Sequence, residues 1–417
     1  MRKNRIIRLI LVILICTAGC ASLSETEIER IETETEVVNV ESETIDGEKV
    51  VVDQMPVTDV GESVSATKDI PDEYRELFTD GAFDENGIWT GSNKEYAELI
   101  EELKKCCEES AIGSVMVATD KEVIFAGGWN ALEVDGETMV NPFTTYGIGS
   151  VTKQFVAAAI LQQVQEGNLS TSDTLDKFFP KYPHASQITI DHLLHMDSGI
   201  PDYINESNQF FVGRTPEELE DFMTGKMTDE KILEYLYKTE LNFEPGKRYR
   251  YSCTNYYLLA LILEQITGET YEEYMKKNIF DVCKMENSTC TETGNITSVP
   301  QGNGAYLAMG RTCRGSGDIH SNVCDILLWN RALMSGKIID KTQLQYMTEL
   351  RNGYSCGWFE MGNGAIGHDG ATEGYVAVNI VYQHKGQNLY FIMMVPDVGK
   401  VSLLGKVSKV VEKHLEE

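Results

Sequence analysis

Apolar positions change character four times along the chain. From Lys94 to Glu109 they recur at helical spacing, with Tyr96, Leu99, Ile100 and Leu103 on one stripe, which predicts an amphipathic helix. Ile112 to Thr119 and Lys121 to Gly127 are short apolar runs around a polar turn at Asp120, and they predict two strands. Leu169 to Arg331 is mostly helical in pattern, broken at Ser198-Gly-Ile-Pro201, Glu244-Pro-Gly246 and Gly302-Asn-Gly304. Strand patterns return from Gly364, with Tyr375 to Tyr382 and Leu389 to Val395 flanking a turn at His384 to Asn388, and Lys406 to Leu415 closes as a helix. Strands at both ends with helices between predict an α/β (α+β) fold: one antiparallel sheet, completed late, flanked by helices and interrupted by a large helical region.

One run breaks the amphipathic rule. Val151 to Glu166 is apolar on nearly every side, as in a buried helix, yet carries Lys153 one turn after Ser150. A serine hydroxyl is a weak nucleophile until a neighbour takes its proton, and a desolvated lysine gives up its own more easily than an exposed one. A helix start adds unpaired N–H groups that favour negative charge. Spacing alone is weak, because Ser65-Ala-Thr-Lys68 has the same pattern without an apolar helix behind it.

Other candidates stand further along. Tyr251-Ser-Cys253 precedes an apolar helix, Tyr256 to Ile266, stopped by Gly268; a phenol there can serve as a base, or can simply pack. Gly367-His-Asp-Gly370 and Ala371 place a histidine between glycines on a strand edge, where His368 can bond a substrate carboxylate or assist the base and the Ala371 amide can support an oxyanion. Gly353-Tyr-Ser-Cys-Gly357 matches the nucleophile elbow Gly-x-Ser-x-Gly, but strand and turn signals follow where a helix is required, so Ser355 is expected to be structural.

The formal net charge of −29 excludes nucleic acid as an expected partner. Much of that charge lies in Glu25 to Asp72, an acidic stretch with no helical period that predicts a solvated tether. Met1 to Arg8 is basic, Leu9 to Ile15 apolar, and Thr17-Ala-Gly-Cys20 follows, the layout of an export signal. Its end resembles a lipobox, which makes Cys20 a lipidation site and the membrane a partner. Thr17 stands where leucine is commonest, which leaves plain secretion and a retained anchor open. The expected organisation is a signal at 1–20, a tether at 21–75 and one domain at 76–417. No Cys/His cluster among the ten cysteines has metal-ligand spacing, so neither metal nor cofactor is expected.

Ser150-x-x-Lys153, Tyr251-x-Cys253 and His368-x-Gly370, in that order, resemble the serine beta-lactamase and penicillin-binding protein superfamily, in its class C branch with D-alanyl-D-alanine carboxypeptidases and esterases. Ile188 to Leu194 with Ser198-Gly199, Phe243 to Gly246, Gly317 to Ile319 and Asp325 to Leu333 extend the resemblance, which runs from about Ile112 to the C-terminus. It implies Ser150 as nucleophile, Lys153 and Tyr251 sharing proton transfer, His368 beside them, and an oxyanion hole from the Ser150 and Ala371 amides near Gly370. The implied reaction is acyl transfer through a serine ester, on D-amino-acid peptides of the cell wall, beta-lactams or small esters. Cys253 departs from the usual asparagine, and His195-Met196-Asp197 from the usual Thr-His-Thr. A thiol donates and accepts only weakly, so a wall-binding module without turnover is the competing expectation.

Overall fold

A computed structural model describes residues 70–110, 113–129, 140–206, 210, 213–223, 225–290, 310–372, 375–395 and 401–415. The expected signal, Cys20, Ser65 and Lys68 lie outside the described residues.

Nine strands form one sheet in the order β1 (Gly81–Phe83), β2 (Trp89–Gly91), β4 (Val123–Trp129), β3 (Gly113–Thr119), β12 (Gln387–Val395), β11 (Tyr375–His384), β10 (Ile366–Thr372), β9 (Trp358–Glu360) and β8 (Tyr354–Ser355). Every neighbouring pair is antiparallel. The late strands β11 and β12 close onto β3, as the strand patterns at the two ends predict, with Met393 opposite Val115. Lys385 and Gly386, both at positive φ, join β11 to β12, a tighter turn than His384 to Asn388.

Both faces of the sheet are covered. Along β3 every residue from Gly113 to Thr119 is buried, so the strand reads as a continuous apolar run and not as an alternation. Val115, Val117, Ile124, Phe391 and Met393 pack against Leu99, Ile100 and Leu103 of α1 (Ala97–Ser110) and, beside them, Val407 and Val411. Met116, Ala118, Ala126, Ile392 and Met394 face the larger core, which holds the helical region.

At the centre of that region lie α2 (Thr152–Gln165), α3 (Cys253–Thr267) and α4 (Val323–Met334). Phe155 stacks on Trp329 with ring centroids 4.1 Å apart, locking α2 to α4. Among buried polar groups, Asn330 and Asn379 exchange amide hydrogen bonds at 2.7 and 2.9 Å, and Asn379 also donates to Gln154 at 2.9 Å, tying β11 to the start of α2. The last helix, α5 (Val401–Leu415), begins five residues before the apolar pattern suggests.

Packing also takes in residues the sequence assigns to the tether. Tyr74 is buried and donates to Asp325 of α4 at 2.7 Å. A small second sheet, β5 (Tyr146–Gly147), β7 (Ile319–Ser321) and β6 (Thr289–Cys290), leads the chain into the Ser150 turn.

Candidate active site

Gly149–Val151 forms a single 3₁₀ turn that runs into α2, and Ser150 sits on it. β7 fixes its approach: Ile148 donates its amide to Ile319 O at 2.9 Å, and Ile319 donates to Thr152 Oγ1 at 3.2 Å. Lys153 is wholly buried one turn on. Its Nζ donates to Ser150 Oγ at 2.9 Å, to the Ser316 carbonyl at 2.6 Å and to Cys253 Sγ at 3.7 Å.

Helix α3 starts at Cys253, three residues earlier than its apolar pattern, so Tyr251 stands just ahead of it. The phenol donates to Ser150 Oγ at 2.7 Å. Behind it the loop at Met196 turns through φ +58°, and the Met196 sulphur accepts from Ser252 N at 3.4 Å and Asn255 Nδ2 at 3.1 Å. Asp202 accepts the Cys253 amide at 2.9 Å, and Ser198 donates to Asn255 at 2.6 Å. Of the three departures at residues 195–197, Met196 thus lies directly under the Tyr251 segment, alongside Ser198 and Asp202.

β10 closes the other side. It pairs with β11 along its whole length but with β9 only at Ile366 and Gly367, which leaves the edge from His368 to Thr372 facing the Ser150 turn. The approach is close enough to exclude side chains: a Cβ on Gly370 would lie 2.7 Å from Ser150 N, and one on Gly149, at φ +50°, would lie 2.6 Å from Ala371 N. The amides of Ser150 and Ala371 are thus neighbours, as an oxyanion pair requires.

His368 is buried against Phe359, with ring centroids 4.8 Å apart, and 6.1 Å from the Tyr251 ring. Burial, with the Lys153 charge adding to it, pushes the imidazole down to about 3, so it is neutral at physiological pH. Its Nδ1 meets the Asp369 carbonyl, and Nε2 has no protein partner among the described residues.

Ser355 is not a nucleophile elbow. It ends β8 in a strand–turn–strand hairpin through Cys356 and Gly357, both at positive φ, and is wholly buried against His195 Nε2 at 3.3 Å. The hairpin tip rests on α2, where a Cβ on Gly357 would come 2.6 Å from Gln154 N.

The structure brings Ser150, Lys153, Tyr251, Cys253 and His368 together beside the Gly370–Ala371 edge. Sequence reasoning passed over two supports: the Ser316 carbonyl, inside the turn Gly315-Ser-Gly317, and Asp202, whose Pro201-Asp202 signal marks a turn that captures later amides.

A serine held by a buried lysine and a tyrosine on a helix start, beneath an antiparallel sheet, defines an acyl-enzyme class of fold. The chain matches the Beta-lactamase family profile over residues 101–402 and belongs to that family, within a superfamily of serine acyl-enzyme hydrolases. A putative penicillin-binding protein, PbpX, of Bacillus subtilis is 24% identical over 320 residues, covering 73% of this chain and 75% of that one. Protein flp of Staphylococcus aureus (strain MW2) is 30% identical over 185 residues, 43% of this chain and 35% of its own length. Among solved structures, the D-amino acid amidase from Ochrobactrum anthropi SV3 complexed with L-phenylalanine amide superposes with a TM-score of 0.61 at 18% identity, over 77% of this chain and 99% of that one. The penicillin binding protein from Bacillus halodurans gives 0.61 at 20% identity, over 74% and 99%. At these identities the superpositions show a shared fold.

Proposed function

We propose that this protein is a serine hydrolase of the class C type that forms an acyl-enzyme on Ser150. The observation that carries the reading is the convergence of Tyr251 OH and Lys153 Nζ on the one oxygen, Ser150 Oγ, at 2.7 and 2.9 Å. Lys153 and Tyr251 take the hydroxyl proton as Oγ attacks the carbonyl and return it to the leaving group. The Ser150 and Ala371 amides hold the developing oxyanion, and water then releases the acyl group by the reverse use of the same pair. His368, whose buried Nε2 has no protein partner among the described residues, is the proposed source of a further hydrogen bond beside the reacting carbonyl.

The proposed substrates are D-amino-acid peptides of the cell wall, beta-lactams or small esters. The likeness to D-amino acid amidases and penicillin-binding proteins supports that range, and one acyl-enzyme machine serves all three. The basic, apolar and small-residue layout of residues 1–20, with Cys20 at its end, supports export and a lipid anchor, with the acidic stretch holding the domain off the membrane.

Cys253 favours one alternative, a wall-binding module on the same fold, because only a thiol at 3.7 Å meets Lys153 where an amide is usual. A panel of nitrocefin, an acyl-D-Ala-D-Ala peptide and a nitrophenyl ester tests the choice. Turnover of at least one, lost in Ser150→Ala, supports the hydrolase; binding of the peptide with no turnover of any supports the module.

A further inference from the structure

The turn that presents the Ser316 carbonyl to Lys153 is held from both sides by buried charge. On its outer side Arg314 reaches Asp229 at 3.1 Å, Glu272 at 3.4 Å and Glu264 at 3.5 Å. On its inner side Asp318, itself buried, accepts the Gly315 amide at 2.9 Å and the Tyr271 phenol at 3.3 Å through one oxygen, Oδ1. Between them the Cys313 carbonyl takes the amides of Ser316 and Gly317, both at 2.9 Å, and the Ser316 hydroxyl at 3.0 Å.

The turn has no slack. Gly315 sits at φ +67°, and a Cβ there would lie 2.7 Å from Ala260 Cβ and 2.8 Å from Tyr256 O, so the backbone is wedged against α3. The Ser316 carbonyl shares its peptide unit with the Gly317 N–H, which the Cys313 carbonyl holds directly, and Asp318 holds the Gly315 N–H two peptide units earlier in the same turn. That carbonyl takes one of the three hydrogen-bonding directions of Lys153 Nζ, and Ser150 Oγ another. Fixing the first fixes the second, since the directions of a tetrahedral nitrogen are not independent.

We propose that Asp318 is a positioning residue for the acyl transfer: by holding Gly315 N–H it anchors the Cys313–Gly317 turn that points the Ser316 carbonyl at Lys153, and so aims the lysine nitrogen at Ser150. The kinetic consequence rests on the acyl-enzyme reading above; the geometric one does not. Burial, with Glu272 adding to it and Arg314 opposing it, pushes the Asp318 carboxyl up to about 7, so the acceptor is present as an acid or as a carboxylate across the neutral range. An asparagine carries the same acceptor oxygen in the same place.

The test compares Asp318→Ala with Asp318→Asn in crystals and in acylation by a fluorescent penicillin. In Asp318→Ala the Ser316 O to Lys153 Nζ distance is expected to open beyond hydrogen-bond reach. The limiting acylation rate should fall about tenfold or more, the size of a partly misdirected base, with the apparent affinity for the probe little changed. Asp318→Asn should restore both the distance and the rate, a rescue that loss of general stability would not give. An unchanged distance in Asp318→Ala, or an asparagine variant as displaced and slow as the alanine one, overturns the inference. If Asp318→Ala fails to fold, the folded Asp318→Asn protein alone decides: a retained distance and rate support the inference and a displaced carbonyl overturns it. If even the natural protein is never acylated, the hydrolase reading fails by itself and the crystal distance still decides the role of Asp318.

Discussion

Lys153 Nζ lies 4.9 Å from the centroid of the Tyr251 ring, and both side chains end on the same serine oxygen. A cation near the π-face of a phenol that shares its acceptor couples the two groups, since charge gained or lost on one is felt by the other. Tyr251→Phe keeps the ring and removes the hydroxyl. It is expected to lower kcat/KM by about 10²- to 10⁴-fold, the range of a lost acid–base group, with thermal stability almost unchanged. Steady-state kinetics on a nitrophenyl ester, with a melting curve as control, checks this.

Cys253 sits where an amide would both donate and accept, and its sulphur lies 3.7 Å from Lys153 Nζ. Cys253→Asn is expected to raise turnover of amides or beta-lactams more than of esters, by about 1 to 3 kcal/mol in transition-state stabilisation, the worth of one hydrogen bond to a charged or buried group. The ratio of kcat/KM for nitrocefin to that for an ester measures it. An unchanged ratio would remove Cys253 from the account of specificity.

His368 makes stability depend on pH in a definite direction. Its folded value of about 3 lies below the ordinary histidine range near 6.5, so between these limits the unfolded chain binds a proton that the folded chain refuses. The stability it contributes is full above about 6.5 and is lost as pH falls toward 3. The gap between the natural protein and His368→Gln should therefore shrink from pH 7 to pH 4, by about 1 to 3 kcal/mol in urea unfolding. Asp197, Asp325 and Asp369, pushed up by burial to about 6, and Asp318, to about 7, act in the opposite sense and are common to both proteins. Their contribution is full below the ordinary carboxyl range and is lost as pH rises to those values.

Trp329 is wholly buried and stacked on Phe155, two residues from Lys153 along α2. Trp329→Ala is expected to destabilise the domain by about 3 to 5 kcal/mol through a cavity between α2 and α4. Chemical denaturation measures this, and a loss below 1 kcal/mol would show that the pair does not hold the two helices.

The sheet at both ends of the chain, the Ser150 helix and the three motifs were legible because each depends on local pattern: apolar runs between turns, an all-round apolar helix, glycines beside a histidine. The short strands β1, β2 and β5 to β7 were not, since two or three residues carry no period. The helix starts at Cys253 and Val401 also escaped the apolar pattern, which begins only where a face meets the core. The Ser316 carbonyl was invisible for a different reason: a backbone oxygen has no residue type to announce it, and only the fold of the Cys313–Gly317 turn directs it at Lys153.

The central claim is that Ser150 becomes covalently acylated. Intact-mass measurement after incubation with a fluorophosphonate and with a penicillin, followed by peptide mapping, tests it most directly. One adduct per chain on the peptide containing Ser150, absent from Ser150→Ala, is the predicted result. No adduct on the natural protein with either reagent, or an adduct that persists in Ser150→Ala, would contradict it.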